Sequence, residues 1–190
     1  DLHTLIETGT YLGETTSAAA DIYDVVHSIE LSEKLYSDAK DKFSDISNIH
    51  LYLGDSAEVL PEILQFENKN VLFWLDGHYS EGNTAKGKKS TPIIEELEAI
   101  AKANATNFVI LIDDMRIFQK PLPNNPESLK GYPTVAELQE KSRKLFPDSL
   151  FKIIGDIALL TNKLDMQFSD VINALTTSRI ASCADAPSLG

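Results

Sequence analysis

The chain has 190 residues, 43% of them hydrophobic, and a formal net charge of −12. That length suits one domain with a sizeable core, and the negative balance argues against nucleic acid or an anionic membrane surface as partner, since both are bound through Lys and Arg. Cys183 is the lone cysteine, which excludes an internal disulfide and a cysteine-based zinc site.

Neither a signal-peptide pattern nor an apolar stretch of the ~20 residues needed to span a bilayer is visible, so a cytoplasmic setting is expected. The chain starts almost on its first strand, so further residues could precede it. Asn104-Ala105-Thr106 has the form of a glycosylation sequon and is read as chance without a secretory signal.

The first predicted strand lies at about 4–8 and is followed by a helix over 13–23. A second strand, 25–30, leads through Ser32, a sound N-cap, into a helix over 32–43. There Leu35, Ala39 and Phe43 recur at i, i+4 and i+8 as an apolar stripe. A third strand covers 49–53, and the helix from 56 to about 65 contains Pro61, which implies a short or kinked helix. The fourth strand, 70–75, opens into a long polar loop over 77–91, and a helix starts at Pro92, a residue preset for the first helical position. A fifth strand at 107–112 precedes a second long loop, 115–131, with Pro121, Pro123 and Pro126. A helix over about 133–146 follows. Segments 150–154 and 157–161 then flank Gly155-Asp156, a two-residue hairpin signal.

Strands alternating with helices imply right-handed parallel crossovers. The closing hairpin forces one antiparallel strand at or near the sheet edge. The expected fold is therefore α/β, a Rossmann-like doubly wound and mostly parallel sheet with an antiparallel C-terminal strand. It forms one domain over 1–163, with a C-terminal helix and tail over 164–190.

Five apolar runs end on carboxylates, at Glu7, Glu30, Asp55, Asp76 and Asp113-Asp114. In a parallel sheet these acids gather at the carboxyl ends of the strands, where open α/β folds bind ligands. Both long loops follow such ends and could act as lids.

In Glu7-Thr8-Gly9-Thr10-Tyr11-Leu12-Gly13, Gly9 permits a tight turn and Gly13 a close approach at the helix start. The turn offers backbone N–H groups and a helix N-terminus to an anionic group, while Glu7 favours a cationic one. A ligand with both an amine and a carboxylate would suit it; an ordinary strand-to-helix turn would look the same. Glu30, roughly 20 residues after the glycine loop, is placed to bind ribose hydroxyls. NAD proteins share that spacing, but their G-x-G-x-x-G is absent. Asp55, before Ser56, can accept a hydrogen bond from an exocyclic amine such as that of adenine, or can simply start a helix.

Acid-x-Gly-x-x-x-Gly, an acid after strand 2, Gly54-Asp55-Ser56 after strand 3 and an acid after strand 4 together resemble class I S-adenosylmethionine-dependent methyltransferases. Within these, Ile6-Glu7-Thr8-Gly9, Leu75-Asp76-Gly77-His78-Tyr79 and Ile112-Asp113-Asp114 resemble the macrocin O-methyltransferase (TylF-like) family, over about residues 4–161. The resemblance implies that Glu7, Thr8, Gly9 and Gly13 hold the methionine part of S-adenosylmethionine. Glu30 then takes the ribose, Asp55 and Ser56 the adenine, and Asp76 also lies against the cofactor. It further implies that Asp76, Asp113 and Asp114 bind magnesium, a hard cation served by oxygen ligands. The other reading of Asp114 is a helix cap or a partner of Arg116.

Related enzymes often carry Asp-Gly-Asp after strand 4, where this chain has His78 as the third residue. A histidine can accept a proton near neutral pH, so His78 is a candidate catalytic base beside Asp76; a loop histidine bonded to a carboxylate is the plainer reading. His3, His27 and His50 look structural, and Trp74 belongs in the core.

Three other readings compete. The stretch 82–90 nearly spells a P-loop, with Ile110-Leu111-Ile112-Asp113-Asp114 as a Walker B strand, but Lys89 stands where Ser or Thr should meet magnesium. Lys86, Lys88 and Lys89 fit better in a lid that neutralises the acidic site. Tyr36 and Lys40 match a short-chain dehydrogenase pair but sit on a helix after strand 2, far from that chemistry. A non-catalytic binding protein would be expected to have lost the strand-end acids. The combined reading is a magnesium-dependent O-methyltransferase acting on a small-molecule hydroxyl acceptor, a sugar or other hydroxylated metabolite. The tail helix could pack on its own sheet or on a second copy, which leaves a homo-oligomer open.

Overall fold

The structure, a computed structural model, describes residues 2–77, 91–118 and 131–162. Seven strands form one sheet in the order β3-β2-β1-β4-β5-β7-β6. They are β1 (Thr4–Thr8), β2 (Val25–Glu30), β3 (Ile49–Leu53), β4 (Val71–Leu75), β5 (Val109–Ile112), β6 (Leu150–Ile154) and β7 (Ile157–Thr161). The helices are α1 (Glu14–Ala20), α2 (Glu33–Lys42), α3 (Ser56–Ile63), α4 (Ile93–Lys102) and α5 (Val135–Leu145), with a 3₁₀ turn at Met115–Ile117. β1 to β5 pair in parallel, and β7 runs antiparallel to both β5 and β6. The antiparallel strand thus lies one place in from the edge that β6 forms.

Parallel strands covered on both faces are apolar throughout rather than alternating. β1 and β4 are buried at every position, and so is β5. On one face Ile6, Ile29, Phe73 and Ile110 pack with Leu60 of α3, Leu97 and Ile100 of α4, and Leu138 of α5. On the other, Leu5, Val26, Leu72, Trp74 and Leu111 cluster with Ala19 of α1. Trp74 is core, as expected. The Leu35, Ala39 and Phe43 stripe of α2 is buried, and Ser32 accepts from the Leu35 N–H at its N-cap.

Some helices start one or two residues after the expected position. α1 starts at Glu14 because Gly13, left-handed at φ 71°, is its N-cap. Pro92 is the N-cap of α4 rather than its first residue. Pro61 lies inside α3, an eight-residue helix. α5 starts after Thr134, whose hydroxyl accepts from the Glu137 N–H while Glu137 accepts from the Thr134 N–H. That reciprocal pair was written in the sequence as Thr-x-x-Glu. The expected C-terminal helix and tail, and all of 163–190, lie outside the described residues. Among the described residues no helix is long and apolar enough to cross a membrane.

Thr134→Ala removes the capping hydroxyl. It is expected to cost about 1 kcal/mol, read as a lower urea midpoint at unchanged slope.

Candidate active site

Pairing of β1 with both β2 and β4 brings the ends of three strands side by side. A pocket opens there, lined by Glu7, Gly9, Thr10, Tyr11, Glu14 and Asp76 among others. Gly9 is left-handed at φ +87°, and a Cβ on it would stand 2.6 Å from the Asp76 carbonyl oxygen. No side chain fits there, so the turn approaches the end of β4 as bare backbone. Its N–H donates to the Ile29 carbonyl at 2.9 Å. Gly13 meets a similar limit, since an added Cβ would lie 2.7 Å from the Phe43 ring. Lys42 donates to the carbonyl of Leu12 at 2.8 Å, tying the loop to α2.

Behind the loop stands a buried polar wall. Glu7 is 2% exposed. Its Oε2 accepts from the hydroxyls of Thr16 and Ser28, the latter at 2.5 Å. The Thr10 and Ser28 hydroxyls share a further hydrogen bond at 2.6 Å. Burial pushes the Glu7 carboxyl up to about 7 against these hydrogen bonds, and the charges of Asp76 and Glu30 push the same way. Thr10, Thr16 and Ser28 carried no distinguishing mark in the sequence.

Glu30 ends β2 with both oxygens engaged. Oε2 accepts from the Tyr11 N–H and Oε1 from the Ser32 N–H, each at 2.8 Å. The residue expected to meet ribose therefore also holds Tyr11, left-handed at φ 50°, against α2. Asp55 is the N-cap of α3 and accepts from the Ala57 N–H at 3.0 Å, so its helix-starting role is formed. Ser56 points elsewhere, donating at 2.6 Å to Glu96 of α4. Glu96 is an acid that sequence reasoning missed, because Glu95-Glu96 in a first helical turn looks like ordinary dipole compensation. It is 1% exposed. Burial pushes its carboxyl up to about 7.

The expected magnesium ligands do not assemble. Among the described residues no group of three His, Cys, Asp or Glu side chains is placed to hold a metal ion. Asp113 is fully buried, and its Oδ1 accepts from the Asp114 N–H at 2.8 Å. Asp114, left-handed at φ 57°, faces Arg116 at 2.5 Å, and Arg116 also engages Asp156. This is the ion-pair reading of Asp114. Asp76, Asp113 and Asp114 as placed therefore form no three-carboxylate group. His78 lies outside the described residues, as do Lys86, Lys88, Lys89 and 119–130.

The other histidines are structural, as expected. His27 stacks on His50 with centroids 5.2 Å apart, its Nδ1 lies 2.9 Å from the Tyr52 hydroxyl, and burial pushes its pKa down to about 4. Tyr36 and Lys40 ride the outer side of α2, Lys40 exposed and Tyr36 half-buried.

Strand order, crossovers and the antiparallel seventh strand define the class I methyltransferase fold, with the pocket at the carboxyl ends of its central strands. No model of a known family matches the sequence, and no curated protein matches it, so the narrower macrocin O-methyltransferase resemblance has no such support. Solved structures supply the likeness. The chain superposes on a putative caffeoyl-CoA O-methyltransferase from Staphylococcus aureus with a TM-score of 0.56 at 15% identity, covering 84% of this chain and 76% of that one. It matches the plantazolicin methyltransferase BamL, solved with S-adenosylhomocysteine, at 0.56 and 12% identity, over 98% and 72% of the two chains. Human methyltransferase-like protein 13, likewise solved with S-adenosylhomocysteine, matches at 0.54 and 10%, over 100% and 86%. At these identities the likeness is one of fold.

Two outcomes follow for the loop and its wall. Gly9→Ala is expected to lower stability by about 1–3 kcal/mol through backbone strain and collision, seen as a lower thermal midpoint. For Glu7, the folded value near 7 stands above the ordinary 4.5. The folded state therefore holds a proton that the unfolded chain releases, and this contribution is full below 4.5 and lost as pH rises through 7. Glu7→Gln cannot ionise, so its urea midpoint relative to wild type is expected to climb over that window and then level off. A constant offset would contradict the shifted titration.

Proposed function

We propose that this protein is an S-adenosylmethionine-dependent methyltransferase that methylates a hydroxyl group on a small molecule. The observation that carries the reading is the Gly9 turn, which only a bare backbone fits and which opens beside Glu7 and Asp76 into a pocket at the strand ends. In the comparison structures this fold accompanies S-adenosylhomocysteine in BamL and in methyltransferase-like protein 13.

When bound, S-adenosylmethionine supplies a methyl group on a positively charged sulfonium, open to in-line displacement by an acceptor oxygen. The chain's residues divide the remaining work. Asp76 lines the pocket with Glu7, whose carboxyl, raised to about 7, would be drawn to its ionised form by a cationic amine or sulfonium beside it. Glu30, already accepting from the Tyr11 and Ser32 N–H groups, is the proposed partner of the ribose, and Asp55, with Ser56 beside it, the proposed partner of adenine. His78, two residues beyond Asp76, is the proposed acceptor of the hydroxyl proton. Loops 77–91 and 115–131 are the proposed determinants of the acceptor. A sugar or other hydroxylated metabolite accords with the finer resemblance to macrocin O-methyltransferases and with the O-methyltransferase description of the Staphylococcus aureus structure. A putative rRNA-methylase from Clostridium thermocellum shares the fold at a TM-score of 0.53, but a net charge of −12 opposes an RNA backbone as substrate. A cytoplasmic, membrane-free setting belongs to the same proposal.

Calorimetric titration with S-adenosylhomocysteine is expected to give a micromolar Kd, with NAD and ATP at the same concentrations giving no heat. Tight NAD or ATP binding in its place would replace this reading. Because the aspartates form no shared ligand set, the Kd in EDTA and in magnesium is expected to agree within about twofold; a large magnesium effect would restore the metal to the cofactor site. His78→Ala is expected to lower turnover by about 10²-fold or more at near-constant cofactor affinity. Equal turnover would remove His78 from the mechanism.

A further inference from the structure

We propose that Glu96 is a positioning residue for the cofactor pocket: from the first turn of α4 it clamps the ends of β1 and β4 to the start of α3. The inference rests on the cofactor reading above and names a residue to which neither the fold nor the sequence motifs assign a role.

One hydrogen bond and two close approaches define the clamp. Glu96 accepts the Ser56 hydroxyl at 2.6 Å, and Ser56 directly follows Asp55, the N-cap proposed to face adenine. A Cβ built on Gly77 would lie 3.3 Å from Glu96 Oε1 and 3.1 Å from the Thr8 hydroxyl, so these groups close tightly around the residue that follows Asp76. The Thr8 hydroxyl is buried without a well-formed hydrogen bond, although it lies near enough to Glu96 to favour its ionised form. Thr8 continues β1 from Glu7 into the Gly9 turn. One carboxyl group therefore bonds the start of α3 and lies close to the ends of β1 and β4, the segments that lead into Asp55, the Gly9 turn and Asp76.

The chemistry of the carboxyl suits a clamp better than a base. Glu96 is 1% exposed, so it meets solvent and ligand only through its neighbours. The charges that raise its pKa are carboxylates, Asp55 from α3 and Glu95 beside it on α4, whereas Thr8 and Ser56 are the hydroxyls that lower it. Ionised, the group can accept from Ser56 and Thr8 alike; held neutral, it can accept from Ser56 and donate to the Thr8 oxygen. Glutamine can do the same with its carbonyl and amide, whereas alanine can do neither. A surface-type acid that merely complements the helix dipole would not discriminate between these substitutions.

The test compares Glu96→Gln, Glu96→Ala and Gly77→Ala with wild type, using S-adenosylhomocysteine calorimetry and amide hydrogen exchange on the ligand-free proteins. Glu96→Gln is expected to bind within about twofold of wild type, whereas Glu96→Ala should weaken binding about tenfold, the loss of a buried hydrogen-bond pair. Glu96→Ala should also speed exchange at 55–58 and at 76–77, while exchange within β5 stays unchanged. Should Glu96→Ala fail to fold, Gly77→Ala drives the same contacts apart and is expected to weaken binding and speed exchange at 55–58. Wild-type affinity in Glu96→Ala, a loss in Glu96→Gln equal to that in Glu96→Ala, or unchanged exchange in both Glu96→Ala and Gly77→Ala would overturn the clamp. Absence of binding by wild type would instead overturn the cofactor reading, and the exchange comparison would still decide whether the clamp exists.

Discussion

The close approach of Gly9 to the Asp76 carbonyl is the constraint on which the rest of the site depends. It exists because β1 pairs in parallel with β2 and β4 at once, so that the chain leaving β1 must turn directly over the end of β4. A side chain at that turn would displace the crossing by more than a hydrogen bond can absorb. With the backbone bare, the turn settles against β4, its N–H finds the Ile29 carbonyl, and the following residues run out past Glu30. The pocket is the space this detour leaves.

Placing carboxylates at the ends of buried strands has an electrostatic consequence. Glu7 in the pocket wall and Glu96 outside it both lose their hydration, which pushes each carboxyl up to about 7. Each is held by short-range hydroxyl donors, Thr16 and Ser28 on one side of the sheet and Ser56 on the other. Desolvation and hydrogen bonding thus oppose one another at both sites, with desolvation the larger. Glu30 differs in its partners. Two backbone N–H groups, from Tyr11 and Ser32, donate to its oxygens.

The third acidic group, after β5, follows another logic. Asp114 adopts a left-handed backbone and turns its carboxylate to Arg116, which is also held by Asp156 of the β6–β7 hairpin. That pairing draws the chain after β5 towards the antiparallel edge. Family resemblance placed Asp76, Asp113 and Asp114 on one cation. Among the described residues they form no three-ligand group, Asp113 being buried and Asp114 ion-paired to Arg116.

Periodicity alone determined most of the architecture. All seven strands were legible because continuous apolar runs such as Val71-Leu72-Phe73-Trp74-Leu75 are what a sheet covered on both faces requires, and Gly155-Asp156 marked the hairpin. Gly9 and Gly13, with the strand-end acids Glu7, Glu30, Asp55 and Asp76, were legible for the same reason, since their positions follow from where strands stop. What tertiary structure decided was which polar groups face each other. Thr16, Ser28 and Glu96 are unremarkable as letters and become the supports of the pocket only when α1, β2 and α4 are packed on the sheet. The Arg116 ion pair likewise depends on a hairpin some 40 residues away. A one-dimensional pattern records the faces and ends of elements, because those are local; the partners of a buried carboxyl are set by the packing of elements distant in the chain.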